Sequence, residues 1–153
     1  MSKHGLERLT VWRKALDFAT HVYQKVLPGL PVEEKYALGQ QIRRAAQSIP
    51  ANIAEGHGRY YFLENVHFAY IARGSLEEVI SHLSLAKEVG YLPGELYEPL
   101  IAEAEEILLL INGYIAYLRR ARQGEHELPA DQMVKEDMAS YSDDADDLDD
   151  AVK

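Results

Sequence analysis

Apolar residues recur every three or four positions along four stretches of the chain, and short runs of proline and glycine separate the stretches. The first carries Trp12, Ala15, Leu16, Ala19, Val22, Tyr23 and Val26. That spacing places them on one stripe of an α-helix. Thr10 is the predicted N-cap, because its side-chain oxygen could accept from the free amides of the first turn. Pro28-Gly-Leu-Pro31 then ends the helix, since proline lacks an amide donor and restricts the residue before it. A second helix is predicted over 32–55, with Leu38, Ile42, Ala45, Ala46, Ile49 and Ile53 as its stripe. Glu33 and Glu34 fall where the positive end of its dipole would lie. Pro50 interrupts the pattern and predicts a kink near 46–48. Gly56-His-Gly58 supplies the stop.

The third helix is predicted over 63–89, through Val66, Ala69, Ala72, Leu76, Val79, Ile80, Leu83 and Ala86. Gly74 sits in its middle at a cost of about 1 kcal/mol against alanine, which predicts that a neighbouring helix comes close there. After Pro93-Gly94 the fourth is predicted over 96–122, carrying Leu100, Ile101, Ala104, Ile107, Leu108, Ile111, Tyr114, Ile115 and Leu118. Four such helices with short links bury their stripes by packing antiparallel around one core, at crossing angles near ~20°. The expected fold is therefore all-α, an up-down-up-down four-helix bundle over residues 1–124. No strand-like alternation competes with it.

Residues 125–153 depart from this periodicity. Six aspartates fall between Asp143 and Asp150, and large apolar residues are sparse, so burial cannot offset the entropy of ordering. The segment is expected to be a disordered acidic tail, with at most a transient helical turn over 131–138. It also changes the meaning of the net charge. Its 11 acidic residues face only Lys135 and Lys153, which accounts for the whole net charge of -9 and leaves 14 acidic and 14 basic residues before it. The body is neutral. The absence of cysteine excludes disulfides and thiolate chemistry and suits a reducing compartment. The first residues form no apolar signal core, and no window approaches the ~18 apolar residues of a membrane span. A soluble, cytoplasmic protein without membrane association is expected.

Candidate chemistry is thin. A di-iron carboxylate bundle needs two Glu-x-x-His pairs, and Glu64-Asn-Val-His67 has no second. His21, His67 and His82 belong to different helices, and His82 with Glu78 is an ordinary contact one turn apart. Ser48, Ser75, Ser81 and Ser84 lie within helices and lack a nucleophile elbow. Gly56-His-Gly58-Arg59 lacks the Gly-Lys-Ser/Thr of a phosphate loop. The aspartate run has neither the glycine nor the closing glutamate of a calcium loop. No catalytic residue, cofactor or metal site is expected.

Two features point to binding. Leu108, Leu109, Leu110 and Ile111 cover every direction around the fourth helix, and a helix apolar all round is buried on more than one side. Phe62, Phe68, Ile71 and Tyr117 also fall at the margin of the stripes. We take Leu109, Leu110 and Tyr117 as an interface for self-association. Separately, Arg43, Arg44, Arg59 and Arg73 gather around the second helix and its exit, beside Tyr60 and Tyr61. Arginine near aromatic rings can hold phosphates and stack on bases, which makes these four the candidate nucleic-acid contacts. The structural alternative has Arg43 and Arg73 pairing with Glu55, Glu77 or a carboxylate of another helix.

Gln41-Ile-Arg-Arg-Ala-Ala-Gln-Ser-Ile-Pro-Ala-Asn-Ile-Ala-Glu-Gly56, Gly58-Arg59, Ile71-Ala-Arg-Gly-Ser-Leu-Glu-Glu78 and Leu85-Ala-Lys-Glu-Val-Gly-Tyr-Leu92 resemble the 23S rRNA intervening-sequence protein family. The resemblance runs over roughly residues 9–122. It implies an antiparallel four-helix bundle assembled as a ring-like homopentamer, from bacteria, encoded within intervening sequences of 23S rRNA genes or standing alone. A related branch, the accessory variability determinant of diversity-generating retroelements, binds a reverse transcriptase and nucleic acid through a basic surface. Within the motif, Asn52 and Glu55, with Arg43, are expected to satisfy backbone groups freed at Pro50. The expected function is a noncatalytic, homo-oligomeric adaptor or scaffold for a protein or ribonucleoprotein partner. The rival is a nucleic-acid-binding accessory protein that uses the arginine cluster.

Overall fold

The computed structural model describes residues 5–122. Among the described residues there are four α-helices, short 3-10 turns and no strand. The first helix, α1, spans Thr10–Lys25. Its cap is Leu9, in extended conformation and without a side-chain bond, so Thr10 is not the cap the sequence predicted. Thr10 is the first helical residue, and its hydroxyl accepts from Arg13 at 3.2 Å. The buried face is Val11, Ala15, Phe18, Ala19 and Val22, while Leu16 stands outside the core at 42% exposure. Apolar residues occupy two adjacent rows of this helix. The bulkier Phe18 row takes the core, and the row of Trp12, Leu16 and Tyr23 is left on the side of the second helix.

Two 3-10 turns, Leu27–Gly29 and Val32–Glu34, follow α1 at the prolines. The second α-helix, α2, spans Leu38–His57 and so begins six residues later than expected. The delay has a visible cause. Glu34 curls back, and its carboxylate accepts from the Leu38 amide at 3.1 Å, capping a new helix start instead of lying inside an old one. A Cβ on Gly39 would sit 2.9 Å from the Glu34 carbonyl oxygen, which is why this tight return carries glycine. The helix runs unbroken through Pro50. Beside it, Asn52 Nδ2 donates to the carbonyl and the hydroxyl of Ser48, both at 2.8 Å, and Ser48 Oγ meets Ser75 Oγ at 2.8 Å on the next helix. Asn52 therefore bonds the Ser48 carbonyl and not that of Ala46, the one Pro50 leaves without an amide partner, and Glu55 is engaged elsewhere.

The third helix, α3, spans Phe62–Glu88, and the fourth, α4, spans Gly94–Ala121. Gly90 closes the link between them with φ 85°, letting the amides of Tyr91 and Leu92 reach the Ala86 carbonyl at 2.8 and 3.1 Å. Partners run in opposite senses along neighbouring helices: Asn65 with Tyr114, Arg73 with Asn112, Ser84 with Tyr97. α1 and α4 run likewise, through Lys14 with Glu106 and His21 with Glu103. α2 packs on α1 and α3, and α4 packs on the same two. This is the expected up-down-up-down bundle. Its centre is Phe18, Ile42, Ile49, Ile53, Leu76, Leu83, Leu100, Ile107 and Ile111.

Gly74 overturns one expectation. It is exposed, and a Cβ there would meet nothing within 4 Å. The close approach of helices falls instead at Gly56, where a Cβ would lie 2.8 Å from Asn65 Oδ1 and 2.9 Å from Phe68 Cβ. The predicted stop at Gly56 is accordingly a packing site inside α2, and Gly58 takes the C-cap. Among the described residues no helix is long and apolar enough to cross a membrane. The acidic tail expected from residue 125 lies outside the described residues.

Candidate functional site

About one turn of α4 holds residues 108–111 and points them in different directions. Ile111 is fully buried, Leu108 and Leu110 are partly buried against the core, and Leu109 points outward with 72% of its surface exposed. Tyr117, two turns on, is 58% exposed. Of the three predicted interface residues, Leu109 and Tyr117 therefore stand in solvent, whereas Leu110 divides its side chain between core and surface. Gly113 and Ala116 lie exposed between them, so the outer face of α4 is a low surface with one leucine rising from it.

A second apolar surface lies on the side of α1 and α2. Trp12, Leu16, Ala19 and Tyr23 from α1 and Pro50, Ala51 and Ala54 from α2 line a groove of about 560 Å³ whose walls carry no charged residue. The sequence held its signal, since Trp12, Leu16 and Tyr23 were assigned to the core stripe and are in fact its neighbouring row. A polar groove of about 400 Å³ opens between α2 and α3, lined by Arg44, Gln47, Asn52 and Glu78 above the Ser48–Ser75 pair.

The four arginines do not converge. Arg59 is held by Glu55 at 2.6 Å and by Glu64 at 3.5 Å, with its guanidinium 5.2 Å from the centre of the Phe68 ring. Arg73 lies over Tyr70 at 4.7 Å and donates to Asn112 Oδ1 at 3.3 Å, on the side facing α4. Arg44 lines the α2–α3 groove, and Arg43 follows one residue earlier, about 100° round the helix, where its carbonyl accepts from Tyr23 Oη at 3.4 Å. Glu55 thus pairs with Arg59, not Arg43, and Arg73 uses an amide and a ring, not a carboxylate.

Among the described residues buried polar side chains are few. Asn65 is buried, and its Oδ1 accepts from Tyr114 Oη at 3.2 Å. Burial pushes the Tyr114 hydroxyl above the usual tyrosine range, and the Tyr117 phenol adds to the shift. His21 Nδ1 and Glu103 meet at 2.8 Å across α1 and α4, a pair the sequence did not announce. His82 and Glu78 form the expected contact at 3.3 Å. Among the described residues no group of three His, Asp or Glu side chains comes together to hold a metal ion.

The model of the 23S rRNA-intervening sequence protein family matches residues 7–113, from the start of the bundle to the middle of α4. The chain belongs to this family. A 1.70 Å crystal structure of a protein with unknown function from the S23 ribosomal protein family of Bacteroides thetaiotaomicron is similar at 26% identity with a TM-score of 0.62. The likeness covers 69% of this chain and 98% of that one. No curated protein matches. In this 23S rRNA-intervening sequence protein, the four arginines, Leu109 and Leu110 fall inside the matched span, and Tyr117 lies beyond it.

Proposed function

We propose that this protein is a noncatalytic, cytoplasmic homo-oligomer, a pentamer, that serves as an adaptor or scaffold for a protein or ribonucleoprotein partner. The observation that carries the reading is Leu109, 72% exposed on a helix whose other apolar residues at 107, 108, 110 and 111 are wholly or partly buried. A leucine left bare costs roughly 2 kcal/mol relative to burial, and a neighbouring Tyr117 enlarges the unfavourable surface. Sister subunits would remove both from water.

Light scattering at micromolar concentration tests the assembly. The expected mass is five times that of the 17.3 kDa chain, and Leu109→Asp should shift it towards the single chain while far-ultraviolet dichroism stays helical. A wild-type mass of one chain would remove the basis of the scaffold role. The nucleic-acid reading draws less from the geometry, since Arg59 is neutralised by two glutamates and the other three arginines face different elements.

A further inference from the structure

The exit of α2, the start of α3 and the last turns of α4 enclose a small pocket at one end of the bundle. It measures about 230 Å³ and is walled by Tyr60, Phe62, Asn65, Tyr114, Tyr117 and Leu118. Pockets that take drug-sized ligands run to ~300–1,000 Å³, so this one has room for a single ring. Four of those six side chains are aromatic, and a planar ring gains from their faces and edges beyond the area it buries.

One part of the wall is polar and buried. Asn65 is 8% exposed, and its side chain is pressed against α2, where a Cβ on Gly56 would lie 2.8 Å from its Oδ1. That oxygen accepts from Tyr114 Oη at 3.2 Å. Among the described residues Asn65 Nδ2 has no hydrogen-bond partner, and the nitrogen is not sealed away from the pocket either. A buried donor left unpaired is costly, and native interiors seldom keep one. Tyr114 Oη has donated its proton and retains a lone pair with which to accept. The wall therefore presents one donor and one acceptor side by side. Turning the amide over exchanges their roles and leaves the same pair.

An amide edge, with its carbonyl beside its N–H, complements such a pair. A carboxylate does not, since both of its oxygens only accept. Charge argues the same way. His57 and Arg59 also line the pocket, but Arg59 is held by Glu55 at 2.6 Å and Glu64 at 3.5 Å, and among the described residues no lysine or second arginine joins it. We propose that this pocket binds a small, uncharged aromatic carboxamide, its ring among Tyr60, Phe62 and Tyr117 and its amide edge on Asn65 and Tyr114. The homo-oligomer reading above also covers Tyr117, whereas Asn65 and Tyr114 are buried within one chain and keep their arrangement in any assembly.

Nicotinamide carries the required group on a single ring, and nicotinate replaces its amide with a carboxylate. Saturation-transfer NMR on the full chain should show nicotinamide bound with roughly millimolar affinity, as a ligand of about nine heavy atoms allows, and nicotinate bound at least about tenfold more weakly. Tyr114→Phe removes the hydroxyl, and Ala121→Trp narrows the pocket from an exposed position on its lining. Each should weaken nicotinamide at least about fivefold while helicity by dichroism stays unchanged. Absence of transfer at about 10 mM nicotinamide, equal binding of nicotinate, or binding indifferent to both substitutions would overturn the proposal.

Discussion

Tyr114 and Asn65 form a buried polar pair in which the amide oxygen accepts a hydrogen bond from the phenol. Tyr114→Phe leaves that oxygen without its donor and should cost about 1 kcal/mol in denaturant unfolding. The pair also sets an alkaline limit. Because burial raises the folded value of Tyr114 above the ordinary 10.0, folding favours the protonated phenol. Its contribution is complete below the ordinary value and is lost as pH climbs through the raised one. Stability measured up the alkaline side should fall more steeply in the wild type than in Tyr114→Phe. Two glycines make a sharper contrast. Gly56→Ala forces a methyl into Asn65 and Phe68 and should destabilise by roughly 1–3 kcal/mol. Gly74→Ala, with open space around it, should stabilise by up to about 1 kcal/mol through helix propensity. Equal effects at the two positions would contradict the packing described.

At the scale of elements, α1 shows what a helical wheel can and cannot tell. Phe18→Ala should cost about 3–5 kcal/mol by thermal or chemical unfolding, and Leu16→Ala under about 1 kcal/mol, because only the Phe18 side chain is enclosed. Sequence periodicity found all four helices, their order and most core positions, since proline and glycine clusters mark the ends and three-four spacing marks the buried side. It placed Ala15, Ala19, Val22 and Val26 in the core of α1 but left out Val11 and Phe18 and included Leu16, because two apolar rows lie side by side and choosing between them requires knowing where α2 and α4 stand. The start of α2 was misplaced because Glu33 and Glu34 suit a helix start equally well from inside or from just ahead of it. Gly74 misled for a related reason: a glycine in a helix signals either a close neighbour or none, and the code for both is the same. The outward Leu109 was legible because four consecutive apolar residues cannot share one stripe. The α1–α2 groove and the His21–Glu103 and Asn65–Tyr114 pairs were not, since each joins residues distant along the chain.

For the molecule as a whole, charge is divided between a neutral body and an acidic segment after residue 124. If the arginines served nucleic acid, removing residues 125–153 would relieve competition for them, and RNA binding would strengthen at low salt with a steep dependence on ionic strength. The dispersal of the arginines predicts otherwise: filter or fluorescence titration of the shortened chain should show no salt-sensitive binding. Emergence of such binding would favour the nucleic-acid reading over the scaffold. The bundle's connectivity has a further consequence, in time. α2 and α3 share the most extensive helix contact and are joined by only the four residues 58–61. Residues that meet across them are therefore near neighbours along the chain, as Gly56 and Asn65 are. Little loop entropy opposes their meeting, and chains dominated by such local encounters reach the native state in roughly microseconds to milliseconds. This hairpin should thus nucleate folding, so that substitutions at the Gly56 crossing slow refolding in stopped-flow mixing, while those in α1 chiefly hasten unfolding.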